Sequence, residues 1–158
     1  MAKYLTVFFV SMVPIIELRG AMVMAMAPGM DIPFPLALLI CVIGNMLPVP
    51  FIYFFARKVL VWGSKKKYIG KFFHFFLTKG EHAGQKLVAK TGRGGLFMAL
   101  LLFVGIPLPG TGAWTGTLAA SFLNMGIKST SIAVSLGVVL AGIIMGIVSM
   151  TGIHVFGL

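Results

Sequence analysis

Of the three acidic residues in this 158-residue chain, only Glu17 falls inside an apolar stretch, two residues from Arg19. Asp31 sits at a turn before Pro33, and Glu81 lies in a lysine-rich segment. Glu17 is therefore the one carboxylate available at bilayer depth for carrying a proton. A charge in hydrocarbon costs ~2.5–3.5 kcal/mol on insertion scales, so Glu17 and Arg19 each need a partner or a wet cavity. Spaced two apart, they point to opposite sides of a regular helix and cannot meet there. Two readings follow. In the structural one, the residues pair at a tight tip or cap freed carbonyls, each free to face an opposite segment. In the functional one, the planar Arg19 fork anchors an anion and Glu17 carries a coupling proton.

A second constellation, Pro107-Leu108-Pro109-Gly110-Thr111-Gly112-Ala113-Trp114-Thr115-Gly116, carries no charge. Gly110 and Gly112 let backbone approach a ligand closely, and a helix starting after them aims N–H groups at an anion such as phosphate. Thr111 and Thr115 add hydroxyls, and Trp114 can stack or pack. The plainer reading of such glycines, Gly116 above all, is close helix packing. Asn45 is a polar group inside an apolar helix and should face protein. Cys41 reads as a small buried hydrophobe. His74, His82 and His154 have no metal-ligand company and read as solvated or interfacial. Nothing matches a phosphate loop, a catalytic triad or a zinc motif, so neither catalytic residues, nor a metal, nor a cofactor, nor enzyme activity is expected.

The elements that position these residues follow from composition. Hydrophobic residues make up 59% of the chain, charged residues 10%, and the mean hydropathy is +1.05. Soluble domains carry about a quarter of their residues charged, so an integral membrane protein is indicated. Four apolar stretches, 4–30, 34–56, 96–124 and 130–156, each exceed the ~20 residues that span a bilayer. The second and fourth read as spanning helices. The first is interrupted by Pro14 and by Glu17 to Gly20, the third by the run from Pro107 to Gly112. Proline removes a helix donor and glycine costs about 1 kcal/mol, so neither break continues a straight helix. In lipid, such breaks survive only where protein or a water-filled cavity covers the freed backbone.

The expected fold is therefore all-α integral membrane, with two inverted repeats. Each is a re-entrant helical hairpin followed by a transmembrane helix, joined by a basic amphipathic cytoplasmic linker. Residues 1–158 form one membrane domain: repeat one is 1–56, the linker 57–93 and repeat two 94–158. Hairpin tips are expected at 14–20 and 107–112; two kinked spanning helices are the alternative. Ten of thirteen basic residues lie between Arg57 and Arg93, the positive-inside pattern, which places that segment in the cytoplasm and argues against nucleic acid as the target of the +10 charge. Residues 67–77 interleave Phe72, Phe73, Phe75 and Phe76 with lysines, as an interfacial helix would. Ala25-Met26-Ala27 has the form of a cleavage site, but a single Lys3 before it and two charges within the apolar run speak against a signal peptide. Lipid-facing surface beside a polar cavity points to a homodimer.

With Glu17-Leu18-Arg19-Gly20-Ala21 and the 107–116 motif, the sequence resembles the small multi-drug export proteins, over most of its length, and more distantly the DedA (VTT-domain) membrane proteins. The latter resemblance implies two facing re-entrant hairpins and a role in lipid movement. DedA proteins typically carry arginine on the second hairpin, whereas here Arg19 lies on the first. The resemblance implies a transporter or flippase of an anionic amphipathic substrate in the inner (cytoplasmic) membrane, with polyprenyl (undecaprenyl) phosphate or another anionic membrane lipid as partner. Arg19 and the second tip would hold the phosphate, and Glu17 the coupling proton. A proton-coupled exporter of small cationic drugs, with Glu17 binding the cation, is one rival. A non-transporting membrane scaffold is the other.

Overall fold

A computed structural model describes residues 1–65, 70–108 and 110–156. Pro109 of the second expected tip and Lys66 and Lys67 of the basic segment lie outside the described residues, as do the side chains of Phe72, Phe73, Phe76, Glu81 and His154. Seven helices run through the described residues: α1 (Ala2–Met12), α2 (Glu17–Ala25), α3 (Phe34–Met46), α4 (Val49–Ser64), α5 (Gly70–Gly105), α6 (Ala113–Phe122) and α7 (Ile127–Phe156).

Proline chemistry sets most of the boundaries. α1 ends because Val13 precedes Pro14 and is driven out of helical geometry into an extended one (φ −70°, ψ 127°). Pro33 and Pro35 open α3, where missing N–H groups cost nothing. Pro48 divides α3 from α4, although 34–59 still reads as one 26-residue apolar run long enough to cross a membrane. Two other runs qualify by length and composition, Val88–Gly105 and Ile127–Gly152. The chain is thus a multi-pass membrane protein. Outward-facing Leu39, Phe51, Phe55, Ile132 and Ile147 are more than half exposed, as lipid-facing side chains are.

The basic segment is helical well beyond the interfacial helix expected at 67–77. α4 continues through Arg57 and Lys58 to Ser64, and α5 is helical from Gly70, bending at Gly92 (φ 70°). Lysine, glutamine and alanine favour helix, and nothing between Lys71 and Arg93 is a proline. The apolar part of α5 accordingly begins at Val88 and is 18 residues long, more than the half-crossing expected of it.

Both broken segments fold back on themselves. Lys3 Nζ, in the first turn of α1, donates to the Asp31 carbonyl beyond the end of α2 at 3.3 Å. α1 and α2 also pack on each other. In the second half, Val104 lies against Gly116 near the break, while Leu96, a few turns earlier, shares an apolar pocket with Leu123 and Met125 near the end of α6. α3 packs on α1 and α7 on α5, each through a glycine: a Cβ at Gly44 would strike Ser11 and the Phe8 carbonyl, and one at Gly137 would strike Leu101 and Val104. The core runs between the halves through Val7, Leu18, Met22, Cys41, Val104 and Val134, with Cys41 fully buried.

Candidate functional site

The two breaks meet. α2 begins at Glu17, and Glu17 and Arg19 both turn to the second break rather than to each other. Glu17 Oε2 accepts from the Ala113 N–H and Oε1 from the Trp114 N–H, each at 3.2 Å. These are the first two N–H groups of α6, which have no partner within their own helix. A carboxylate there also meets the positive end of the helix dipole.

Arg19 serves the opposite end of the same gap. Its Nη1 donates to the Leu108 carbonyl, and Nη2 to Thr111 Oγ1 at 2.7 Å and more distantly to the Ile106 carbonyl at 3.5 Å. Thr111 Oγ1 in turn donates within the tip toward the Ile106 and Leu108 carbonyls, both at 2.9 Å. The guanidinium thus holds carbonyls of the turn that follows α5, which also accept from the Leu108 and Thr111 N–H groups, next to the negative end of the α5 dipole. A third link runs the other way: Trp114 Nε1 donates to the Met12 carbonyl, at the end of α1, at 3.2 Å. Each break supplies the hydrogen bonds the other lacks.

Gly112 makes the approach possible, since a Cβ there would run into the Glu17 carboxylate. Glu17 is 6% exposed. A small cavity of about 10 Å³ lies beside it, lined also by Arg19, Asn45, Gly112 and Val138.

Of the residues selected from sequence, Glu17, Arg19, Thr111, Gly112 and Trp114 come together here. Gly110, at φ 82°, shapes the turn but has nothing within 4 Å of where a Cβ would stand. Thr115 is exposed, its Oγ1 3.4 Å from the Gly112 carbonyl of its own turn. The anion expected at the start of α6 is the protein's own Glu17. Asn45 was recognised in sequence as a protein-facing polar group but not as part of this site; α3 carries it there, and no spacing pattern encodes that. Among the described residues, no three His, Cys, Asp or Glu side chains gather as metal ligands would.

Two surroundings complete the picture. An apolar groove of about 330 Å³ between α4 and α6 runs from Trp114 past Leu118 to Phe122, faced by Ile52, Phe55 and Val59. At the far end of α6, Tyr53 donates through its hydroxyl to the Met125 carbonyl and Arg57 to Asn124 Oδ1, fixing the α6–α7 turn to α4.

A family model described as "Putative small multi-drug export protein" matches residues 17–144, opening on Glu17 just past the first break and enclosing the second. The chain belongs to this family. No curated protein and no solved structure matches it. Membership gives the site its context: the family's name is that of a kind of transporter, and both sets of tip contacts lie within the matched residues.

Proposed function

We propose that this protein is a proton-coupled exporter of small amphipathic molecules, a transporter rather than an enzyme, operating at the contact between the two breaks. The observation that carries the reading is Glu17, a buried carboxylate holding the start of α6 where an external anion would otherwise sit. Adding a proton to it removes the charge facing the α6 dipole and weakens acceptance from Ala113 and Trp114. The second break is then held by Arg19 and Trp114 alone and can shift; loss of the proton restores the contact. The groove beside Trp114 suits the apolar body of a substrate, because every residue lining it is apolar.

The topology proposed with it is two re-entrant hairpins meeting in mid-membrane, in repeats of inverted orientation. The paired contacts support it: the displacement that carries Phe8 to Leu101 also carries Met12 to Gly105, Phe34 to Ile127 and Gly44 to Gly137, that is, the ends of α1 and α5, the starts of α3 and α7, and the packing glycines. Broken helices facing one another across repeats are a recurrent transporter design. The basic segment 57–93 is assigned to the cytoplasm by its charge, in an inner membrane, and a homodimer would seal the lipid-facing side of the site.

A second reading, flipping of an anionic lipid such as polyprenyl phosphate, draws support from the same groove, which accepts a chain as readily as a compact apolar body. There the phosphate displaces Glu17 from the α6 N–H groups and pairs with Arg19. The sign of the ligand separates the two. In proteoliposomes holding a pH-sensitive dye, a lipophilic cation should drive proton movement through the native protein but not through Glu17→Gln. Proton movement driven by the anionic lipid instead would favour the flippase. Response to neither, in folded protein, would leave a scaffold.

A further inference from the structure

Asn45 is 2% exposed, sits on a spanning helix, and its Oδ1 is buried with no hydrogen-bond partner. Buried polar groups nearly always find partners, and in lipid there is no bulk water to supply one. The cavity that Asn45 lines is the one that also reaches Glu17. At about 10 Å³ it has room for roughly one water.

We propose that this cavity is an internal proton site, in which one water bridges the Glu17 carboxyl to the Asn45 amide and Asn45 is a positioning residue for the proton on Glu17. The inference rests on Glu17 as the proton carrier and names the partner of that proton.

The acceptor inventory supports it. Each Glu17 oxygen takes one backbone N–H from α6, which leaves each a second lone pair for a proton or a water. A bridging water donates one hydrogen to Asn45 Oδ1 and, when Glu17 is protonated, accepts the carboxyl O–H. When Glu17 is ionised, the water donates its other hydrogen to the carboxylate. The proton gained or lost moves between Glu17 and the medium, and the water is conserved.

Arg19 is the one charged group other than Glu17 on the cavity wall, and its donors are turned to Ile106, Leu108 and Thr111. α3, α5, the second break, α6 and α7 contribute Asn45, Val104, Gly112, Ala113, Val138 and Ala141, none of them titratable. Val138 stands to the second half as Asn45 stands to the first, by the displacement that relates Gly44 to Gly137, and it also lines the cavity. An apolar residue is thus accepted at the matching position, so packing alone does not require the amide at 45.

Infrared difference spectra between acid and neutral pH test this in reconstituted native protein. Glu17→Gln identifies which carboxyl band belongs to Glu17, against Asp31 and Glu81. Asn45→Leu should move that band to higher frequency, the signature of a lost hydrogen bond, and change the pH at which it appears. Asn45→Ser, which keeps a polar group beside the water, should bring the band back toward native. An unmoved band in folded Asn45→Leu overturns the role of Asn45; if that variant does not fold, an unmoved band in Asn45→Ala does the same. If Glu17→Gln still abolishes proton flux in that case, the reading of Glu17 stands without its proposed partner. Absence of any Glu17 carboxyl band across the pH range overturns both.

Discussion

The break at residues 13–16 is followed by two charged side chains, while the break at 106–112 has none and ends in a glycine pressed against one of them. By the displacement that relates the packing glycines, the counterpart of Arg19 is Gly112 itself. Near-equivalent positions therefore hold the largest cation and the smallest residue. The difference shows why the charges occur once. Glu17 and Arg19 reach backbone groups and the Thr111 hydroxyl on the other side, so a second charged copy there would fill the space the first copy needs. The first half contributes the charged side chains, and the second contributes N–H and C=O groups together with the Thr111 hydroxyl and the Trp114 indole.

Four substitutions sharpen or break this division, in falling order of effect. Gly112→Val places carbon where the Glu17 carboxylate lies. It should cost about 3 kcal/mol, overpacking at ~1–3 kcal/mol together with loss of the α6 cap. Thermal unfolding in nanodiscs would read this as a large fall in Tm; a native Tm would mean that the halves do not rely on close approach. Arg19→Lys keeps the charge but presents a point instead of a fork, so one nitrogen cannot span Leu108 and Thr111 together. A loss of ~1–2 kcal/mol in the same measurement is expected. A Lys variant as stable as native would assign Arg19 to charge alone. The smallest effect separates conformation from contact. Gly110→Ala should cost about 1 kcal/mol for its left-handed φ, whereas Thr115→Ala, on the exposed side of the same tip, should stay within about 0.5 kcal/mol.

The breaks and the apolar runs were legible in the sequence because their causes are local. Pro14 disfavours helical geometry at Val13 and has no N–H with which to continue α1, and a run such as 127–152 needs no tertiary knowledge to be recognised. Burial of Cys41 follows for the same reason. The partners of Glu17 and Arg19 were not legible, since spacing within one helix says only that they cannot meet each other. In the basic segment only the interfacial helix over 67–77 was legible, because charge reports where a segment lies relative to the membrane and not its backbone state.

The hydrogen bonds that satisfy Glu17 and Arg19 join residues 87 to 97 positions apart along the chain. A ribosome adding ~5–20 residues per second leaves an interval on the order of 5–20 s in which α1 and α2 exist without residues 106–114. For that time the carboxylate and the guanidinium lack the partners they have in the folded chain, and burying either charge in hydrocarbon costs ~2.5–3.5 kcal/mol. The pairing of Glu17 and Arg19 is therefore timed by the emergence of residues 106–114.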